Sequence, residues 1–354
     1  MTFMLNSYIL KEAIRGIEAA QRVSELGKYV TLKDIAKATG LTMASVSRAL
    51  NDMPEISEET KCQVWEVASS MGYRPNAFAS SLRTGKSKFV GIVIPQNTNP
   101  YFAGIIADIM AVVIANGYMP LIFNTLESRK IEADAVSAML AFRVAGILAI
   151  PVDLKNFLNL PVPVVTMARQ FPEAEMEKFD YVINDERGVE LSVRYLATRY
   201  RTIYYFNGPK DLRAGEVRRK AFEAAMQQVG LAYSDGLVIN CDAYDMSSGY
   251  AAAKALLSTA PTPYAVQCIS DHVAMGVIQA IRESNVCVPE DIAVIGHDDI
   301  QYCDYLPIPL SSIRLSREIG EVAATFLFEK LKDKTAKMKN VVEPKLIIRQ
   351  SARW

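Results

Sequence analysis

Thr42, Ser45, Ser47, Arg48 and Asn51 crowd residues 42–51 with hydroxyl, amide and guanidinium groups. These are the donors and acceptors that bind phosphate oxygens and base edges of duplex DNA. Among them Val46 and Leu50, four apart, share one face of a helix and turn inward, which leaves Ser45, Ser47 and Arg48 outside. Met43 and Ala44, at the start of that helix, offer only apolar surface, suited to thymine methyl groups.

Such a helix needs a support. Leu32, Ile35, Ala36 and Ala38 recur at the spacing of one buried helical face. Gly40 supplies the turn, because it takes positive φ without a Cβ clash. Thr42 is a good N-cap for the second helix. Two short helices joined by a glycine turn, the second with exposed polar groups, make a helix-turn-helix. A third helix is expected after Ser57, with Glu58 and Glu59 in its first turn, where the helix dipole favours them. Val64, Trp65, Val67, Ala68 and Met71 are its expected buried face, and Gly72 ends it.

The chain has 354 residues, 39 basic and 39 acidic side chains and a formal net charge of zero, so it is not coated for indiscriminate nucleic-acid binding. The imbalance is local: residues 28–88 hold nine basic and six acidic side chains, with Arg83, Lys86 and Lys88 together at the end. No run of about 18 apolar residues spans a membrane. Residues 1–27 lack the apolar core of a signal peptide, so a cytoplasmic protein is expected. Two origins stay open for that segment: a genuine extension, or a start codon placed too early. Five cysteines without CxxC spacing fit reduced thiols rather than a disulfide framework or zinc.

From Phe89 onward short β-branched runs alternate with helical patterns. Strands are expected at 89–94, 119–123, 146–150, 162–167, 181–183, 202–206, 237–239, 265–269, 292–295 and 345–348. Helices are expected at 105–115, 186–197, 216–229, 248–257 and 273–282. This alternation gives parallel sheets covered on both faces, and so many units divide into two α/β lobes. Ligands bind at the carboxyl ends of such strands, hence between the lobes.

The segment from Thr31 resembles the start of the lactose-repressor (LacI/GalR) family of bacterial transcription factors. Thr31, Asp34, Ile35 and Ala36 match its first box, Thr39 to Thr42 its turn, and Ser45 to Asn51 its second helix. Pro75, Asn76 and the run from Ser81 to Gly85 match its hinge. The likeness continues through Asn99-Pro100-Tyr101-Phe102, Gly208-Pro209 with Arg218 and Phe222, the box from Ser270 to Gly276, and Pro289 to Gly296. It implies an N-terminal all-α helix-turn-helix domain and an α/β periplasmic-binding-protein-like core of two parallel-sheet lobes. The divisions expected are an extension at 1–27, the helix-turn-helix domain at 28–74, a hinge helix and linker at 75–88, and the effector-binding and dimerisation lobes at 89–354.

What the resemblance implies for sites is specific. DNA contacts come from Thr31, Thr42, Met43, Ala44, Ser45, Ser47, Arg48 and Asn51, and in the hinge from Asn76, Ala79, Leu82 and Arg83. The hinge segment, too short to hold a helix alone, folds on operator DNA, where two copies meet and each inserts Leu82 into the minor groove. The partners implied are double-stranded operator DNA, a second copy of the chain and a small sugar-derived effector, with no cofactor and no metal. Tyr101 and Phe102 present aromatic faces that stack on flat rings. Arg169, Arg218, Tyr244 and Asp271 complete the expected effector site. Ile150 and Ala168 replace polar residues of relatives, and His297 replaces an aromatic. With two polar slots lost and two arginines kept, an effector that carries an anionic or strongly polar group is expected rather than an ordinary neutral sugar.

Catalysis finds little support. Two histidines, no Ser-His-Asp order and no HExxH or phosphate-binding glycine motif exclude the common hydrolytic and nucleotide-dependent chemistries. Two other readings compete with an effector-responsive repressor: a DNA-binding regulator whose cleft is closed and ligand-free, and a solute-binding protein, which would have no use for residues 29–82.

Overall fold

The structure is a computed structural model and describes residues 30–74, 87–184, 187–210, 213–315 and 318–354. They form two compact units, residues 30–74 and residues 87–354.

The first unit is three helices. Thr31 opens α1 (Leu32–Thr39) with a capping box: its backbone N–H donates to Asp34 Oδ2 at 2.9 Å, and its hydroxyl accepts from the Asp34 N–H. Gly40 ends α1 at φ 69°, the left-handed conformation that its lack of a Cβ permits. Thr42 caps α2 (Met43–Leu50), accepting from the Ser45 N–H at 3.1 Å. Ser57 caps α3 (Glu58–Ser70) in the same way. Ile35, Ala36, Val46, Ala49, Val64 and Ala68 form the core. The sequence placed Trp65, Met71 and Ala38 in that core, and all three are exposed, Trp65 at 47%. On α3 the buried stripe runs through Lys61, Val64 and Ala68, spaced three and four apart. Trp65 sits one residue off that stripe, about 100° around the helix, and faces solvent.

The second unit has two parallel sheets. In the first lobe the chain runs β1 (Phe89–Ile94), α4 (Pro100–Ala115), β2 (Met119–Asn124), α5 (Arg129–Ala141), β3 (Gly146–Ala149), β4 (Val164–Ala168), α6 (Glu173–Met176) and β5 (Asp180–Asn184). It then enters the second lobe as α7 (Arg187–Leu196), β6 (Ile203–Asn207), α8 (Arg213–Gln228), β7 (Val238–Asn240), α9 (Met246–Leu257), β8 (Tyr264–Cys268), α10 (Asp271–Arg282), β9 (Ile292–Asp298) and β10 (Ser311–Arg314). Next come α11 (Ile319–Lys332) and β11 (Lys339–Val342), which return to the first lobe. The last strand, β12 (Lys345–Ile347), belongs to the second.

The strand orders are β11-β5-β4-β3-β1-β2 and β12-β10-β9-β8-β6-β7. All pairings are parallel except β10 with β12. Each order reverses beside its first strand, so a crevice opens at the carboxyl ends there. β9 is buried along its whole length, the burial of a central strand covered on both faces. Gly276 fits α10 against α9: a Cβ there would lie 2.0 Å from the Met246 carbonyl oxygen. Gly320 does the same for α11 against α4, at 2.5 Å from the Ile105 carbonyl oxygen.

Five elements escape the sequence pattern: α5, α6, β10, α11 and β11. On α5 the buried set includes Glu132, which breaks the apolar period. Its carboxylate accepts from the backbone N–H groups of Val152 and Asp153 and from Asn156 Nδ2, and so anchors the segment after β3. β10 is polar in sequence yet buried, because its hydroxyls are satisfied: Ser311 donates to the Arg349 carbonyl at 2.9 Å and Ser312 to Asp271 at 2.5 Å.

Candidate functional site

The surface of α2 offers the first site. Thr42, Met43, Ala44, Arg48 and Asn51 are exposed, Met43 at 55%. Ser45 is half-buried, and its hydroxyl shares a 2.9 Å hydrogen bond with that of Thr42. Asn51 closes the helix, donating from Nδ2 to the Ser47 carbonyl at 2.5 Å. Thr31 is exposed but spends its hydroxyl on the α1 cap, donating to Asp34 Oδ2 at 2.7 Å. Ser47 corrects the sequence reading. It is 7% exposed, because α2 is packed by both α1 and α3 and its buried arc extends beyond Val46 and Ala49. A solvent-facing stripe of Met43, Ala44 and Arg48 remains, with apolar contact at the helix start and a cation one turn on. Asn76, Ala79, Leu82 and Arg83 lie outside the described residues.

The second site is a cavity of about 60 Å³ at the carboxyl ends of both sheets. The first lobe contributes Gln96 and Asn99 after β1, Tyr101 and Phe102 at the start of α4, Glu127 after β2, and Ala168, Arg169 and Gln170 at the end of β4. The second contributes Arg218 on α8, Tyr244 after β7, Ile269 and Ser270 after β8, and Asp298 at the end of β9.

Each wall has a local cause. Asn99 caps α4, accepting from the Tyr101 N–H at 3.0 Å. That fixes the loop that carries Tyr101 and Phe102, whose ring centroids lie 5.6 Å apart. Arg169 Nη2 donates to Glu127 Oε1 at 2.5 Å and Nη1 to the Pro151 carbonyl at 3.2 Å. Burial opposes the Arg169 charge, and the attraction and hydrogen bond of Glu127 outweigh it, so its pKa is raised. Arg218 Nη1 donates to the Ile269 carbonyl at 2.8 Å. Tyr244 packs against Gly208, where a Cβ would come within 2.1 Å of its ring. Burial pushes the Tyr244 phenol up to about 12, against the pull of Arg169, so it stays protonated.

Two features mark the cavity as more than a crease. Glu127, Ala168 and Asp298 all hold positive φ, at 58°, 66° and 120°, although none is glycine. Backbone in such regions persists only where its surroundings hold it, and it clusters at ligand sites. In addition, Glu127 Oε2 and the Tyr244 hydroxyl are buried without a hydrogen-bond partner among the described residues. Unmatched buried polar atoms are costly, and a ligand can match them.

Five of the six effector residues expected from sequence line this cavity: Tyr101, Phe102, Arg169, Arg218 and Tyr244. Asp271 does not. Its carboxylate is fully buried and accepts from the Ile300 N–H at 2.8 Å, from Ser312 Oγ at 2.5 Å and from the Cys303 thiol at 3.3 Å. Gly296 makes room for it: a Cβ there would lie 2.0 Å from Asp271 Oδ1. Burial pushes Asp271 up to about 6. Asp271 ties the loop after β9 to α10, and the carboxylate that lines the cavity from this lobe is Asp298, at the end of the adjacent strand. Glu127, Gln96, Gln170 and Asp298 were missed in the sequence. The rule that ligands meet strand carboxyl ends would have found Asp298 and Gln170; Glu127 carried no such signal.

The model of bacterial regulatory proteins of the lacI family matches residues 31–76. The model of the periplasmic binding protein-like domain matches residues 193–352. The HTH-type transcriptional repressor PurR of Salmonella paratyphi B is 30% identical over 331 residues, covering 91% of this chain and 96% of the relative. That of Photorhabdus laumondii is 29% identical over 333 residues, with the same coverage of 91% and 96%. Among solved structures, the transcriptional regulator CelR–cellobiose complex is 27% identical with a TM-score of 0.67, covering 91% of this chain and 99% of that one. The lac repressor dimer bound to operator and the anti-inducer ONPF has a TM-score of 0.76 over 92% of this chain and 99% of that one; at 22% identity it speaks for the fold alone.

Proposed function

Because the chain belongs to the lacI family of bacterial regulatory proteins, we propose that it is a repressor that binds a near-palindromic operator as a homodimer and releases or tightens it when a small metabolite occupies the interlobe cavity. It is a ligand-responsive, DNA-binding transcription regulator, and its relatives are regulators rather than enzymes. Among the described residues no helix is long and apolar enough to cross a membrane. A cytoplasmic site of action, at the DNA, follows from this reading.

The α2 stripe of Met43, Ala44 and Arg48 reads the major groove. One recognition helix spans too few base pairs for useful specificity, hence the second copy. Exposed Ile114 on α4 and Met119 and Ile122 on the edge strand β2 give the first lobe an apolar face for that copy. Asn76, Ala79, Leu82 and Arg83 act as the hinge that couples the lobes to DNA. CelR is described with cellobiose and a family member from Enterococcus faecium with ribose, which supports a sugar-derived effector here.

The observation that carries the effector reading is the pair of unmatched buried atoms, Glu127 Oε2 and the Tyr244 hydroxyl, on two residues that line one cavity from opposite lobes. The competing reading, a closed and ligand-free cleft, draws on the small volume of that cavity, about 60 Å³. Thermal-shift screening with sugars and their derivatives, followed by operator titration with and without the hit, separates the two. An effector must change operator affinity, and operator must change effector affinity by the same factor, typically about 5- to 150-fold. A panel of metabolites that leaves melting temperature and operator affinity unchanged would favour the closed cleft.

A further inference from the structure

Arg169 and Arg218 line the cleft, yet Glu127 and Asp298 line it too, so its charges balance. Arg169 is also occupied. Its bond to Glu127 joins two side chains only 12% and 15% exposed, where solvent screens little. Glu127 is held to this task by its backbone, at φ 58° beside Leu126 at φ 52°, with its N–H donating to the Pro95 carbonyl at 3.1 Å. The turn therefore aims a carboxylate at the guanidinium, and Oε2 is left over for something else.

We propose that Glu127 masks Arg169 and sets effector specificity: the cleft takes a neutral polyhydroxylated ligand, one hydroxyl of which donates to Glu127 Oε2, and it refuses anions. The inference rests on the reading of this cavity as the effector site. A ligand hydroxyl donates and accepts at once, so it satisfies Glu127 Oε2 while facing the Tyr244 hydroxyl. An ionised carboxylate has no proton for Oε2, a phosphate dianion keeps at most one, and both meet like charge from Glu127. The anionic effector expected from the two arginines is thereby replaced.

Isothermal titration of the full chain with inorganic phosphate, at ionic strength matched with sodium chloride, tests the mask without knowledge of the effector. Wild type is expected to show no saturable binding. Glu127→Gln frees the guanidinium and is expected to bind phosphate roughly tenfold or more tighter than wild type. Arg169→Met in the Glu127→Gln background is expected to remove that gain. Glu127→Ala serves the same purpose if circular dichroism shows the Gln variant misfolded. Wild type binding phosphate as tightly as Glu127→Gln overturns the mask, as does a gain that survives Arg169→Met. Neutral sugars are titrated in parallel. A sugar that binds wild type and loses about tenfold in Glu127→Gln supports the hydroxyl contact, and one that binds both equally overturns it. Silence of every sugar counts against the effector reading of the cavity, while the phosphate result still decides the mask.

Discussion

His297 sits on β9 at 1% exposure, and neither ring nitrogen has a hydrogen-bond partner among the described residues. α7 closes over it at Gly188, where a Cβ would lie 3.4 Å from the imidazole. Burial, then the nearby Arg218 cation, holds its pKa well below the usual 6.5. The folded protein therefore keeps this ring neutral, while the unfolded chain takes up a proton below about pH 6.5. More protons bind the unfolded state, so stability rises with pH through this window. The contribution is fully present above pH 6.5 and is lost as pH falls below it, at about 1.4 kcal/mol per unit. From pH 8 to pH 5 the loss is about 2 kcal/mol. His297→Phe keeps a flat ring and removes the titration. Urea unfolding of both proteins between pH 5 and 8 is the assay; carboxylates that titrate in the same range cancel in the difference. The variant is expected to gain about 2 kcal/mol on wild type as pH falls from 8 to 5. A difference constant to within about 0.5 kcal/mol across that range would mean that the ring is protonated in the fold or reaches a partner, and the reasoning would fail.

Thr42→Ala removes the α2 cap and should cost about 1 kcal/mol in the unfolding of the DNA-binding unit, with weaker operator binding in gel-shift titration. Exchanging Met43 and Ala44 for other residues should change the site recovered by selection from random DNA, with stability intact because both are exposed; recovery of the same site would refute their role. Gly208→Ala places a methyl 2.1 Å from the Tyr244 ring and should weaken the sugar found by screening about tenfold or more, with operator affinity in its absence unchanged. Asp271→Asn cannot accept all three of its hydrogen bonds and should cost about 1–3 kcal/mol in unfolding. An unchanged effector affinity in that variant would accord with a structural role.

The helix-turn-helix was legible because each of its parts is local: a cap, a glycine turn and apolar pairs four apart. The central strands were legible for a similar reason, since burial on both faces leaves an unbroken apolar run at β1 and β9. What escaped the sequence depends on partners far along the chain. Glu132 and Ser312 are polar residues whose burial makes sense only once Val152 and Asp271 are placed beside them. Asp271 read as a ligand contact because it follows a strand, and only the contact with Gly296 shows where its carboxylate turns. Arg169 was legible as a cation, but its neutraliser Glu127 lies 42 positions earlier, in the loop beyond β2.

The return of the chain to its first lobe has a consequence for synthesis. β11 pairs with β5, and α11 packs on β3, β4 and β5. When residues up to 184 have left the ribosome, the first sheet still lacks an edge strand, and one face lacks the helix that buries it. Leu327, which packs against Gly146, and Gly320, which meets the Ile105 backbone, arrive some 180 residues after their partners in the case of Leu327 and more than 200 in that of Gly320. The lobe that starts first is thus among the last to be finished, with an open apolar face while the second lobe is made. Loss of the chain beyond residue 315, far from the amino terminus, would strike the amino-terminal lobe as hard as the one in which the truncation falls.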